Sequence, residues 1–227
     1  MRYADLVRRC CVLGALSAVL AGCAGVAPPR PAQAPQPAAP PPAPSSPGAA
    51  ARAKETPSDI SPAVQREYEG ALDALNAGHT EEAARVFRAL TLTNSNLGGP
   101  HANLGMIYRQ AGKQAEAVSE LEQAVRLNPQ QPVFLNQLGI TYRQQGQFEK
   151  AREAYEKAIA LDPSYPAPYL NLGILFDLYF WNSKHALEFY DRYLALTPGG
   201  DDKVVKWVAD IKNRSQQGGK LSRREQP

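Results

Sequence analysis

Cysteine is nearly absent from this 227-residue chain: there are three, at positions 10, 11 and 23, all ahead of any segment that could pack. No disulfide framework and no thiolate metal site can hold the folded part together, so its support must be apolar packing. Histidine is equally scarce, and His79, His101 and His185 stand far apart. With no HExxH, no GxSxG and no glycine-rich phosphate loop, the sequence offers no catalytic residue, no cofactor site, no metal site and no small-molecule substrate. His79 is placed at a helix-pair turn and His101 on an outer helix, both as solvated surface. A strong charge of one sign is missing too. Removing Arg2, Arg8, Arg9 and Asp5 with a leader of 22 residues takes the 25 basic and 22 acidic side chains to 22 and 21. Nucleic-acid binding rests on clustered Lys and Arg that neutralise phosphates, and this balance argues against it.

Long hydrophobic runs are lacking as well. The one apolar stretch, Cys11 to Leu20, follows Arg2, Arg8 and Arg9 and precedes small residues. That is the pattern of an export signal over residues 1–22. A bilayer-spanning helix needs about 20 apolar residues, and polar, proline-rich sequence follows here instead. The junction Leu20-Ala21-Gly22-Cys23 resembles the lipobox of bacterial lipoproteins, which implies lipidation (palmitate) at Cys23 as the first mature residue. The alternative is an ordinary cleaved signal in which Cys23 is incidental. Ala24 rather than Asp follows the cysteine, and by the same resemblance this implies an outer-membrane address facing the periplasm.

Proline is concentrated where a core is excluded. Residues 23–61 hold Pro28, Pro29, Pro31, Pro35, Pro37 and Pro40-Pro41-Pro42 among Ala, Gln and Ser. Such sequence reads as a disordered linker, stiffened by polyproline II and able to reach on the order of 100 Å when extended. It is expected to hold a folded domain away from the lipid surface, ahead of the alternative that it serves as a ligand for an aromatic groove.

What the rest of the chain has is a repeat. Asn103-Leu104-Gly105-Met106-Ile107-Tyr108 recurs as Gln137-Leu138-Gly139-Ile140-Thr141-Tyr142 and as Asn171-Leu172-Gly173-Ile174-Leu175-Phe176, so the glycines step by 34 positions. Ala117, Leu121, Ala124 and Pro129 follow in one unit, and Ala151, Tyr155, Ala158 and Pro163 in the next. This pattern resembles the tetratricopeptide repeat (TPR), a helix-turn-helix unit of that period. Small residues let the two helices approach, Gly112 and Gly146 suit left-handed turns, and proline ends the second helix. The fold class expected is all-α: a right-handed TPR superhelix over 62–214, with repeats at 64–97, 98–131, 132–165 and 166–200. A capping helix is expected over 201–214 and a polar tail over 215–227. The outer repeats are degenerate, as terminal repeats of a solenoid usually are. In the fourth, Trp181-Asn182-Ser183 replaces the glycine turn. Asp201 and Asp202 can cap a final helix whose apolar face is Val204, Val205, Trp207, Val208 and Ile211.

The resemblance implies a concave groove lined by the first helix of each pair and used for partner segments. Its groove positions fall on Leu72 with Tyr68 and Asn76, on Met106, Arg109 and Gln110, on Asn136, Ile140, Arg143 and Gln144, and on Leu170, Ile174 and Asp177. Leu72, Met106, Ile140 and Ile174 are 34 apart and form one apolar stripe. Periodicity alone reads this stripe equally as a groove, with Arg109 and Arg143 meeting a partner's backbone or acidic side chains, or as a core face. The Lys and Asn pattern of a carboxylate clamp is not met. A second cluster, Phe176, Tyr179, Phe180, Trp181, Phe189, Tyr190 and Tyr193, reads more readily as core beneath the cap than as a hot spot.

The function expected is that of an envelope scaffold that binds protein and catalyses nothing. By resemblance, its partners belong to secretion, pilus, murein or TonB-type machinery, the last group being the nearest match in the 171–179 segment. The rivals are a self-assembling structural protein, a pilotin for a secretin or pilus, and an enzyme or peptidoglycan binder with an unrecognised site.

Overall fold

The structure, a computed structural model, describes residues 60–224, with side chains to residue 216. The expected leader, Cys23 and nearly all of the linker lie outside the described residues. Among the described residues there are nine α-helices and no strand. They are α1 (Pro62–Asn76), α2 (Thr80–Thr93), α3 (Gly98–Gln110), α4 (Gln114–Leu127), α5 (Pro132–Gln144), α6 (Phe148–Leu161), α7 (Pro166–Leu178), α8 (Ser183–Leu196) and α9 (Asp202–Arg224). None of them is long and apolar enough to cross a membrane.

Each helix pair closes through a turn whose backbone demands a left-handed residue. Gly78, Gly112 and Gly146 take φ of 84°, 74° and 76°, which glycine adopts without a Cβ penalty. In the fourth repeat this role passes to Trp181, at φ 52°, where a bulky side chain is held in a costly region. Asn182 then caps α8 by accepting a hydrogen bond from the His185 backbone N–H at 3.1 Å. Ser61 caps α1 in the same way, and Asp201 caps α9 through the Lys203 and Val204 N–H groups. These caps satisfy donors that the helix itself leaves unpaired.

The spaced glycines lie where the pairs touch. A Cβ built on Gly139 would sit 2.5 Å from the Tyr155 ring, and one on Gly105 would sit 2.7 Å from Leu121. Gly173 faces Tyr190 in the same way. All three partners, Tyr155, Leu121 and Tyr190, come from the second helix of the repeat and are buried. In the first repeat Ala71 takes the glycine's place, buried beside Phe87.

Neighbouring repeats pack α2 on α3, α4 on α5 and α6 on α7, and α9 lies against α8. First helices of the later repeats also touch each other, α3 with α5 and α5 with α7, and no comparable contact joins second helices. The stack therefore bends with the first helices on its inner side. Val204, Val208 and Ile211 of α9 are buried with Ile174, Ala186 and Tyr190. Val205, expected on this apolar face, points out instead and is half exposed. The final helix also runs past residue 214 to Arg224, where a polar tail was expected. The segment holds no proline, although Gly218 and Gly219 weaken a helix, and the Ser215 hydroxyl bonds back to the Ile211 carbonyl.

Candidate functional site

The inner face is built from α1, α3, α5 and α7, and its side chains differ in how far they are open. Leu72, Met106, Ile140 and Leu170 are half-buried, whereas Ile174 is 6% exposed, covered by α9. Leu72 leans on the first-repeat core and Ile140 on the central one. The stripe is thus partly open along three repeats and closed at the fourth. Gln110 and Gln144 are exposed at its rim.

Two expected groove residues are engaged inside the fold. Asn136, 2% exposed, accepts from the Asn171 amide at 3.0 Å and donates to the Tyr165 hydroxyl at 3.3 Å, tying α5 to α7. Asp177 accepts from Arg214 of α9 at 3.3 Å. Burial holds the Asp177 carboxyl above the usual carboxylate range, with Arg214 acting against it. Both residues were expected to be displayed, but the close approach of first helices covers one and the cap covers the other.

The arginines are the least ordinary feature. Arg109 reaches from α3 to α5, where its Nη1 donates to the Gln137 carbonyl at 3.2 Å and the Thr141 hydroxyl at 3.4 Å. Arg143 is 7% exposed, and its Nε makes no hydrogen bond. Neither forms an ion pair among the described residues. Burial lowers the proton affinity of the Arg109 guanidinium, and the nearby Arg143 charge adds to that effect. The buried hydroxyl of Tyr155 sits beside Arg143; burial pushes it up to about 12 although both arginines pull the other way.

Sequence reasoning missed Asn103, Gln137, Thr141 and Asn171, which bring further buried polar groups to the first helices. Asn103 is 2% exposed and donates to the Tyr68 hydroxyl at 2.8 Å and the Gly99 carbonyl at 2.9 Å. The signal was present, because positions 103, 137 and 171 are 34 apart and all carry amides. His101 also departs from its expected place: it lies on α3, a first helix, mostly buried, with Nδ1 2.6 Å from Glu120 of α4. His79 is exposed at the start of α2, as its turn position implied. Of the aromatic cluster, Tyr190 is core, Phe176 stacks on Phe189 at 5.4 Å, and Trp181 alone is largely exposed. No group of three or more His, Cys, Asp or Glu among the described residues is placed to hold a metal.

A model of the TPR repeat family matches residues 105–142 and 139–177. These are tetratricopeptide repeats. The match runs from the glycine of one first helix to the next repeat's inner face, so it spans the arginines and the central stripe. Solved TPR proteins share the fold. PilF of Pseudomonas aeruginosa is 22% identical, with 68% of this chain and 70% of that one covered at a TM-score of 0.63. A thermophilic TPR protein of Thermus thermophilus, TTC0263, is 25% identical, with 70% and 84% covered at 0.56. YrrB, described as a TPR protein with an unusual peptide-binding site, is 20% identical, with 65% and 75% covered at 0.56. A comparison with curated proteins gave no match. TPR stacks of this kind mediate protein–protein interactions.

Proposed function

We propose that this chain is a lipid-anchored adaptor of the bacterial cell envelope that holds a segment of a partner protein along the inner face of its TPR stack. The observation that carries the reading is the half-open apolar row of Leu72, Met106 and Ile140, flanked by exposed Gln110 and Gln144. Open apolar side chains aligned across repeats offer a partner burial worth about 25 cal/mol per Å², and the rim amides supply orientation. The YrrB description supports a peptide as the bound form, at the level of a shared fold. The sequence of residues 1–23 supports the anchor and the outer-membrane address.

A photo-crosslinker at Met106, compared with one at the outer-facing Glu153, tests the inner face in living cells. One protein captured in stoichiometric yield from Met106 and not from Glu153 is expected, and equal capture from both positions would remove the reading. For the anchor, labelled palmitate should enter the wild type and not Cys23→Ser. Self-assembly is the competing use of the same face, and its signature would be a mass in light scattering that grows with concentration.

A further inference from the structure

Arginine side chains are costly to bury without a counter-charge, because the guanidinium loses water and its five N–H donors need acceptors. The inner face buries one, Arg143, and partly buries a second, Arg109. Arg143 lies within the fold with an unpartnered Nε. Arg109 rests on neutral oxygens only. The local sequence supplies no remedy. Helices α3 and α5 contain no acidic residue, and the one on α7, Asp177, is engaged by Arg214. The acids of these repeats sit on the second helices instead, Glu116, Glu120 and Glu122 on α4 and Glu149, Glu153 and Glu156 on α6. Glu120 and Glu122 are there occupied by His101 and by the Tyr142 hydroxyl, and Glu149 and Glu156 by Arg152.

We infer that the partner segment is acidic, and that one of its Asp or Glu side chains supplies the carboxylate that Arg109 and Arg143 lack. This rests on the adaptor reading and narrows it to a class of partner. A guanidinium pair recognises carboxylate through charge-assisted, geometrically matched hydrogen bonds. Met106 and Ile140, half-open on the same two helices, require that the segment also carry apolar side chains. A polypeptide with acidic and apolar residues alternating along one side meets both demands, and a small free anion meets only the first.

The probe is a fluorescein-labelled peptide of Leu-Glu-Ala repeats with blocked ends, beside its Leu-Gln-Ala counterpart, titrated into the full-length chain in detergent. Blocked ends remove any terminal carboxylate. The Glu peptide should bind at least about tenfold more tightly than the Gln peptide, a difference of about 1.4 kcal/mol, and lose affinity as salt rises. Arg109→Gln and Arg143→Gln should each abolish that discrimination, and Arg109→Lys should keep part of it. A second readout needs no ligand: Arg143→Met should raise the melting temperature of the free protein, because it removes a buried charge without a partner. Equal affinity for the two peptides would overturn the acidic class while leaving an inner-face peptide site intact. Binding of neither peptide would overturn it too, and the Met106 crosslink would still decide the adaptor reading on its own.

Discussion

In the second and third repeats the first and second helices have opposite surfaces, unlike the first repeat, whose α1 carries Glu67, Glu69 and Asp73. In repeats two and three the second helices carry six carboxylates, at 116, 120, 122, 149, 153 and 156, and the first helices carry none. The first helices hold glycine at the packing notch and bury amides and guanidinium groups; the second helices insert Leu121 and Tyr155 into those notches. One row of helices is therefore the solvated exterior, with charge that keeps it wet. The other is a wall whose buried amides tie into the neighbouring repeat, which leaves half-open apolar side chains, the exposed Gln110 and Gln144, and the Arg109 and Arg143 pair to meet a partner. A surface short of charge and partly apolar is the kind that partners use.

This asymmetry makes the same type of change have opposite consequences in different places. Tyr155→Ala should have the largest effect, lowering stability by about 3–5 kcal/mol in urea unfolding, because it empties a fully buried position between the two helices of the third repeat. Gly139→Ala should come next, at about 1–3 kcal/mol destabilising, since the added methyl meets the Tyr155 ring. Combining the two should cost less than their sum, because the smaller side chain vacates the space the methyl needs. Additive costs would break the proposed notch. Gly70→Ala is the counter-case: a helix-interior glycine with nothing within 4 Å of its would-be Cβ. It should stabilise by roughly 0.5–1 kcal/mol through helix propensity, and a loss there would mean that the first repeat is packed differently.

How much of this was legible beforehand depends on what a period can encode. The 34-residue step fixed the helix pairs, the glycine notches and the turns, because Gly105, Gly139 and Gly173 can share a role only if they share a place in the fold. Side-chain depth is another matter. Arg143 and Gln144 are adjacent in sequence, yet one is 7% exposed and the other open, since depth depends on how closely the next first helix approaches. Asn136 could not be recognised as internal without knowing that Asn171 and Tyr165 converge on it. His101 lies on α3, a first helix, and not on an outer one, because the repeat period alone does not say which helix of a pair faces inward. Val205 faces outward because α9 turns its 204, 207, 208 and 211 positions to the stack. Trp181 takes a glycine's backbone conformation, which no local rule would favour.

At the fourth repeat Asp177 replaces the arginine found at the equivalent position of the second and third. There the cap supplies its own counter-charge, Arg214, yet burial still outweighs the ion pair and holds the carboxyl above its ordinary value. A carboxyl whose folded-state pKa is raised costs stability while ionised, and that cost fades as pH falls through the raised pKa towards about 4, the unfolded value. Asp177→Asn lacks this dependence. The wild type should therefore gain on the Asn variant as urea unfolding is repeated from pH 7 down to pH 4, the smallest of the effects considered. A gap that stayed constant, or moved the other way, would mean that Arg214 fully offsets the cost of the buried charge. The inner face would then be electrostatically closed at its fourth repeat and left unbalanced only at Arg109 and Arg143.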